Sequence, residues 1–78
     1  MKTIDPRAKT DHLLRIRRMA KLGTARAIRE DAGLSLTELA NEIDVHRTTI
    51  HRWEKGTRRP SGGGAVRYLK ALDKLSRR

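Results

Sequence analysis

Apolar side chains recur three or four residues apart along most of this chain, the interval that lines them up on one face of a helix. Leu13, Ile16, Met19 and Ala20 form a first stripe ending at Gly23, and Asp5 before Pro6 has the form of a helix cap followed by a first-turn proline. Thr24 stands where it could cap a second helix, with Ala25, Ile28 and Ala32 inward and Gly33 as its stop. Gly23 leaves open whether these are two helices or one kinked rod. Ser35 followed by Glu38 has capping-box spacing, in which the hydroxyl accepts a backbone N–H of the first turn and the carboxylate reaches back to the cap. A third helix should therefore start at Leu36, with Leu36, Leu39, Ala40 and Ile43 inward and Thr37, Asn41 and Glu42 toward water. Asp44 ends it, because a short polar side chain tolerates the left-handed conformation. After Val45, an apolar plug, a fourth helix runs from Arg47 to Lys55 with Ile50 and Trp53 inward and Gly56 as its stop. Gly62, Gly63 and Gly64 bury no side chain and weaken helix nucleation, so residues 57–64 are expected to be a basic loop and a flexible glycine linker. A last helix over 65–76 carries Ala65, Tyr68, Leu69, Leu72 and Leu75. Residues 1–4 are expected to be disordered and 5–78 to form one domain.

Residues 35–56 thus predict two short helices across a tight turn, a helix-turn-helix. That shape is shared with ordinary packing units, and charge is what distinguishes it here. Residues 34–44 carry three acids and no Lys or Arg, whereas residues 45–60 carry five Lys or Arg and one Glu. Arg47, Thr48, His51, Arg52 and Lys55 point away from Ile50 and Trp53, as the residues of a recognition helix do. Thr57, Arg58 and Arg59 before Pro60 extend the basic surface along the line a phosphate backbone would take.

The stretch ELANEIDVHRTTIHRWEKGTRRP resembles the helix-turn-helix of the Cro/XRE family of phage and bacterial repressors. Leu39, Ala40, Val45, Ile50, Glu54, Gly56 and Pro60 occupy that family's leucine-alanine, turn plug, isoleucine, Glu-x-Gly and proline places. Ile28-Arg29-Glu30 with Ala32-Gly33-Leu34 resembles the end of its first helix, so the likeness covers roughly residues 24–60. It implies an all-α domain of four to five helices, of the lambda-repressor-like type with a central helix-turn-helix. It also implies a structural ion pair between Arg29 and Glu54, and base reading by His46, Arg47, Thr48 and Arg52. Arginine suits guanine O6 and N7, and Thr48 suits a thymine methyl. Ser35, Thr37, His51, Lys55, Thr57, Arg58 and Arg59 are the candidates for phosphate contact. Two positions depart from the family pattern: Leu36 replaces a glutamine that often touches phosphate, and His46 replaces the usual serine-like cap. Asp44 in place of the turn glycine is a milder change. Related repressors dimerise through C-terminal helices, which makes Tyr68, Leu69, Leu72 and Leu75 dimerisation candidates; the plain alternative is that this stripe closes the domain's own core.

Composition narrows the function. A chain of 78 residues is near the lower size at which a core suffices without disulfide or metal, and there is no Cys for either. His12, His46 and His51 lack metal-ligand spacing, and no cofactor or small-molecule ligand is expected. There is neither a membrane-length apolar run nor a signal-peptide core, so a soluble cytoplasmic protein is expected. A net charge of +10 calls for a polyanionic partner, and no basic face is paired with large aromatic membrane anchors. Paired carboxylates, an activated nucleophile and a phosphate-cradling glycine loop are all missing, so an enzyme is not expected. The expected function is a sequence-specific regulator binding double-stranded DNA, a small repressor of bacterial, phage or mobile-element origin acting by promoter occlusion as a homodimer. The alternatives are an excisionase-like recombination accessory factor or an antitoxin-like module. An RNA-binding protein is disfavoured, since one Tyr, one Trp and no Phe leave little for base stacking.

Overall fold

A computed structural model of the protein describes the backbone of residues 6–77 and the side chains of residues 10–77. Asp5 and residues 1–4 lie outside the described residues. Five helices and no strand are present among those described: α1 (Pro6–Leu22), α2 (Thr24–Asp31), α3 (Leu36–Glu42), α4 (Arg47–Lys55) and α5 (Gly62–Ser76). Gly23, at φ 82°, breaks the first two apart. This left-handed glycine is itself the N-cap of α2, so Thr24 is the first helical residue and not the cap expected of it.

Local chemistry sets the helix-turn-helix. Ser35 Oγ accepts the Glu38 N–H at 3.0 Å, and Glu38 Oε1 accepts the Ser35 N–H at 2.9 Å. These bonds hold the Glu38 carboxyl below the ordinary glutamate range, the backbone donor contributing most. Asp44 takes φ 55° and is the non-glycine residue with a left-handed backbone among those described. The reversal lets the Val45 N–H reach back to the Ala40 carbonyl at 3.0 Å, which closes α3 and aims the chain into α4.

The start of α5 differs from expectation. The glycine run is no linker: α5 begins at Gly62, three residues before the position the apolar stripe marks. Gly62 takes φ 68°, and a Cβ on Gly64 would lie 2.9 Å from Val45 Cγ1 and 3.6 Å from Trp53 Cη2. Absence of a side chain lets this helix end lie directly against the turn plug. One turn on, Arg67 donates from Nε to the Ile43 carbonyl at 2.7 Å, serving an acceptor that the end of α3 leaves open.

The core draws on all five helices, with Ile16, Ala25, Leu39, Ile50, Trp53 and Tyr68 among its members. α1 packs on α2, α4 and α5, α2 on α5, and α3 on α4. Trp53 and Tyr68 meet with ring centroids 4.9 Å apart and planes inclined at 32°, an arrangement worth about 0.5–1.5 kcal/mol beyond area burial. The dimerisation surface expected on α5 is corrected by this packing. Tyr68, Leu69 and Leu72 are 0%, 3% and 0% exposed inside the single chain, because α1 and α2 cover that face. Leu75 alone of the four is half-buried.

Candidate nucleic-acid interface

With Ile50 and Trp53 buried, α4 turns Arg47, Thr48, His51, Arg52 and Lys55 to solvent as one exposed face. Its orientation is fixed at both ends. At the N-terminus the Thr48 N–H donates to His46 Nδ1 at 3.1 Å, so the imidazole does the work of the missing serine. Accepting through Nδ1 leaves Nε2 as the ring's N–H, directed outward from the cap. At the C-terminus Gly56, at φ 77°, lets the Thr57 and Arg58 N–H groups both reach the Arg52 carbonyl, at 3.0 and 3.3 Å.

A buried ion pair ties α4 to α2. Arg29 Nε lies 2.7 Å from Glu54 Oε2 and Nη2 lies 3.0 Å from Oε1, while Nη1 donates to the Leu34 carbonyl at 2.8 Å. Both side chains are nearly closed off, at 10% and 5% exposure. Hydrogen bonding to Glu54 raises the affinity of the guanidinium for its proton, against the opposing effect of burial. One side chain thus links the second helix, the loop before α3 and the end of α4.

The phosphate candidates differ in what they have left to offer. Thr37, His51, Lys55, Arg58 and Arg59 are exposed. Ser35 Oγ accepts in the capping box, which leaves its hydroxyl proton for an outside acceptor. Thr57 instead directs its hydroxyl to the Arg52 carbonyl at 3.3 Å, so its proton is engaged inside the domain.

The N-terminal basic helix divides in the same way. Arg15 forms a two-pronged bridge to Asp73 on α5, at 2.9 and 3.2 Å. Arg17 donates from Nε to the Pro60 carbonyl at 2.8 Å and pins the loop after α4 to α1. Arg18 and Lys21 stay exposed and line a cleft of about 530 Å³ between the end of α1 and that loop, with Arg58 and Arg59 opposite. The roles of Arg15, Arg17 and Arg67 were not readable in the sequence. Each sits on the polar face of its own helix, and only the packing of helices shows what it reaches.

Among the described residues no helix is long and apolar enough to cross a membrane, and no group of three or more acids and histidines is placed to hold a metal ion. A five-helix bundle presenting a braced, basic second helix defines a helix-turn-helix domain of the lambda-repressor-like kind. A family model described as Helix-turn-helix matches residues 26–77, and the chain belongs to this Cro/XRE-type family of DNA-binding regulators. The match begins inside α2, so α1 lies outside it. No curated protein and no solved structure matches the chain.

Proposed function

We propose that the protein is a sequence-specific regulator of transcription that binds double-stranded DNA, a small repressor acting by covering a promoter. The observation that carries this reading is the exposed face of α4, held by its histidine cap, its glycine stop and the Arg29–Glu54 brace. Arg47, Thr48 and Arg52, with His46 at the cap, read base edges, and Arg and Thr are the residue types suited to guanine and to the thymine methyl. Ser35, Thr37, His51, Lys55, Arg58 and Arg59 contact phosphates and set the register, which carries no sequence information of its own. Leu36 brings no side-chain hydrogen bond to the N-terminus of α3, so contact there falls to backbone N–H groups and the Ser35 hydroxyl.

Selection of bound duplexes from a random pool at about 150 mM salt, near physiological ionic strength, tests this reading. Enrichment of a defined motif, lost on Arg52→Ala, is expected. A palindrome with half-site centres about one helical turn apart would mean that two copies bind together. A pool that stays random while the protein retains binding would refute sequence-specific regulation.

A further inference from the structure

The cleft between α1 and the 57–60 loop has a makeup that the recognition helix does not explain. Besides Arg17, whose guanidinium is turned onto the Pro60 carbonyl, four cations, Arg18, Lys21, Arg58 and Arg59, stand around it, and none of its lining side chains is acidic. Its lining also includes the apolar Leu22 and Pro60, and Leu22 is 66% exposed, one of two large apolar side chains left open to water among the described residues. Like charges are not gathered there by accident of a loose loop. Arg17 is hydrogen-bonded to the Pro60 carbonyl at 2.8 Å, which fixes the loop against α1 and holds the two cationic pairs facing one another. Bringing four positive groups together across a cleft costs electrostatic free energy in the free protein, and a bound polyanion reverses that cost.

We propose that this cleft binds the sugar-phosphate backbone of the DNA that α4 reads, with Arg18 and Lys21 of α1 as phosphate contacts. The inference rests on the DNA-binding reading above and extends it to a helix outside the matched region. Two features select the occupant. Arg58 lines this cleft and also the neighbouring hollow that contains His46 and Thr49 at the start of α4, so the cationic surface is continuous with the reading helix. The mixture of cations with Leu22 and Pro60 suits a chain that alternates phosphate with the apolar face of a sugar. A free phosphate ion would leave the apolar part unused.

The test compares wild type, Arg18→Ala/Lys21→Ala and Arg52→Ala, each binding a selected duplex and a random duplex over a salt series. Both altered α1 residues are exposed helix positions where alanine is a good helix former, and circular dichroism checks that the fold is kept. The double variant is expected to weaken binding to both duplexes alike, to keep base preference, and to lower the slope of log affinity against log salt by about 2, roughly 1 for each lost phosphate contact. Hydroxyl-radical footprinting should show protection lost from backbone flanking the bases read by α4. An unchanged slope and footprint in the double variant, with Arg52→Ala still impaired, would overturn the cleft assignment alone. Failure of the wild type to bind either duplex would overturn the DNA-binding reading and the cleft assignment with it.

Discussion

Single side chains hold α4 in place, and Arg29 does most with one group. Its three nitrogens serve two carboxylate oxygens and a loop carbonyl in a nearly dry site. Arg29→Ala strands Glu54 and should cost about 3–5 kcal/mol in urea unfolding. Arg29→Lys should recover little of this, since one ammonium cannot reproduce the planar fork. Full rescue by lysine would show that charge alone matters. Tyr68 presents the opposite case. Its hydroxyl is buried with no hydrogen-bond partner among the described residues, and burial raises its pKa well above the ordinary phenol value. Tyr68→Phe keeps the ring against Trp53, removes the unsatisfied group, and should stabilise the fold by about 1–3 kcal/mol, which is several degrees in Tm. The pH sign follows from the raised value. Stability tied to the neutral phenol is complete below the unfolded-state pKa of about 10, and is lost as pH rises above it toward the folded-state value, because the unfolded tyrosine ionises first. The advantage of Tyr68→Phe in thermal melts should therefore widen above pH 10, and a constant gap would contradict the assignment.

At the scale of helices, the start of α5 makes a sharp prediction. A Cβ on Gly64 meets Val45 Cγ1 at 2.9 Å, a short branched group backed by the core, whereas one on Gly63 meets only Arg67 Nη1 at 3.1 Å, the far end of a flexible side chain. Gly64→Ala should lose about 1–3 kcal/mol to overpacking, more than the helix preference of alanine, about 1 kcal/mol, returns. Gly63→Ala should be neutral or slightly stabilising. Equal losses in denaturant midpoint from the two variants would mean that close approach at Gly64 is not what selects glycine. The same glycines show where the sequence stops being readable. Helix positions, the capping box and the left-handed Asp44 depend on neighbours within a few residues, and spacing and residue type suffice to find them. Gly64 and Arg67 answer to Val45, Trp53 and Ile43 in other elements, so the glycine run looks like a linker until the helices are packed. The apolar stripe of α5 carries the same ambiguity: spacing reveals an apolar face, and only the positions of the helices packed on it decide that Tyr68, Leu69 and Leu72 face inward. At the candidate interface, sequence spacing located the outward face of α4, while the imidazole cap of His46 and the internal engagement of Thr57 required geometry.

For the molecule as a whole, net charge overstates what is offered to DNA. The chain carries +10 with the pairs Arg15–Asp73, Arg26–Glu30 and Arg29–Glu54 already cancelled in that sum, and Arg17 and Arg67, which do count toward it, are turned onto backbone carbonyls. Residues 45–60 contribute Arg47, Arg52, Lys55, Arg58 and Arg59 as exposed cations on α4 and the loop after it. If Lys55, Arg58 and Arg59, the cations of this set assigned to phosphates, neutralise one phosphate each, log affinity should fall against log salt with a slope of about −2.7 per copy, and about −4.5 once Arg18 and Lys21 are added. Between 50 and 200 mM salt the first slope means a loss of roughly 40-fold for one bound copy, and two copies bound together should lose on the order of 10³-fold. A salt titration on a selected duplex therefore reports stoichiometry as well as mechanism, a useful property when the apolar face of α5 is closed inside the monomer and any second copy must associate through another surface or through the DNA. Base reading separates from this electrostatic background by substitution. Arg47→Ala should cost about 1–3 kcal/mol on the selected duplex and relax preference at one position, whereas Arg58→Ala should weaken selected and random duplexes equally and reduce the slope by about 1. Equal loss on both duplexes from Arg47→Ala would move Arg47 from the bases to the backbone, and a nearly flat titration of the wild type would remove nucleic-acid phosphate from the account altogether.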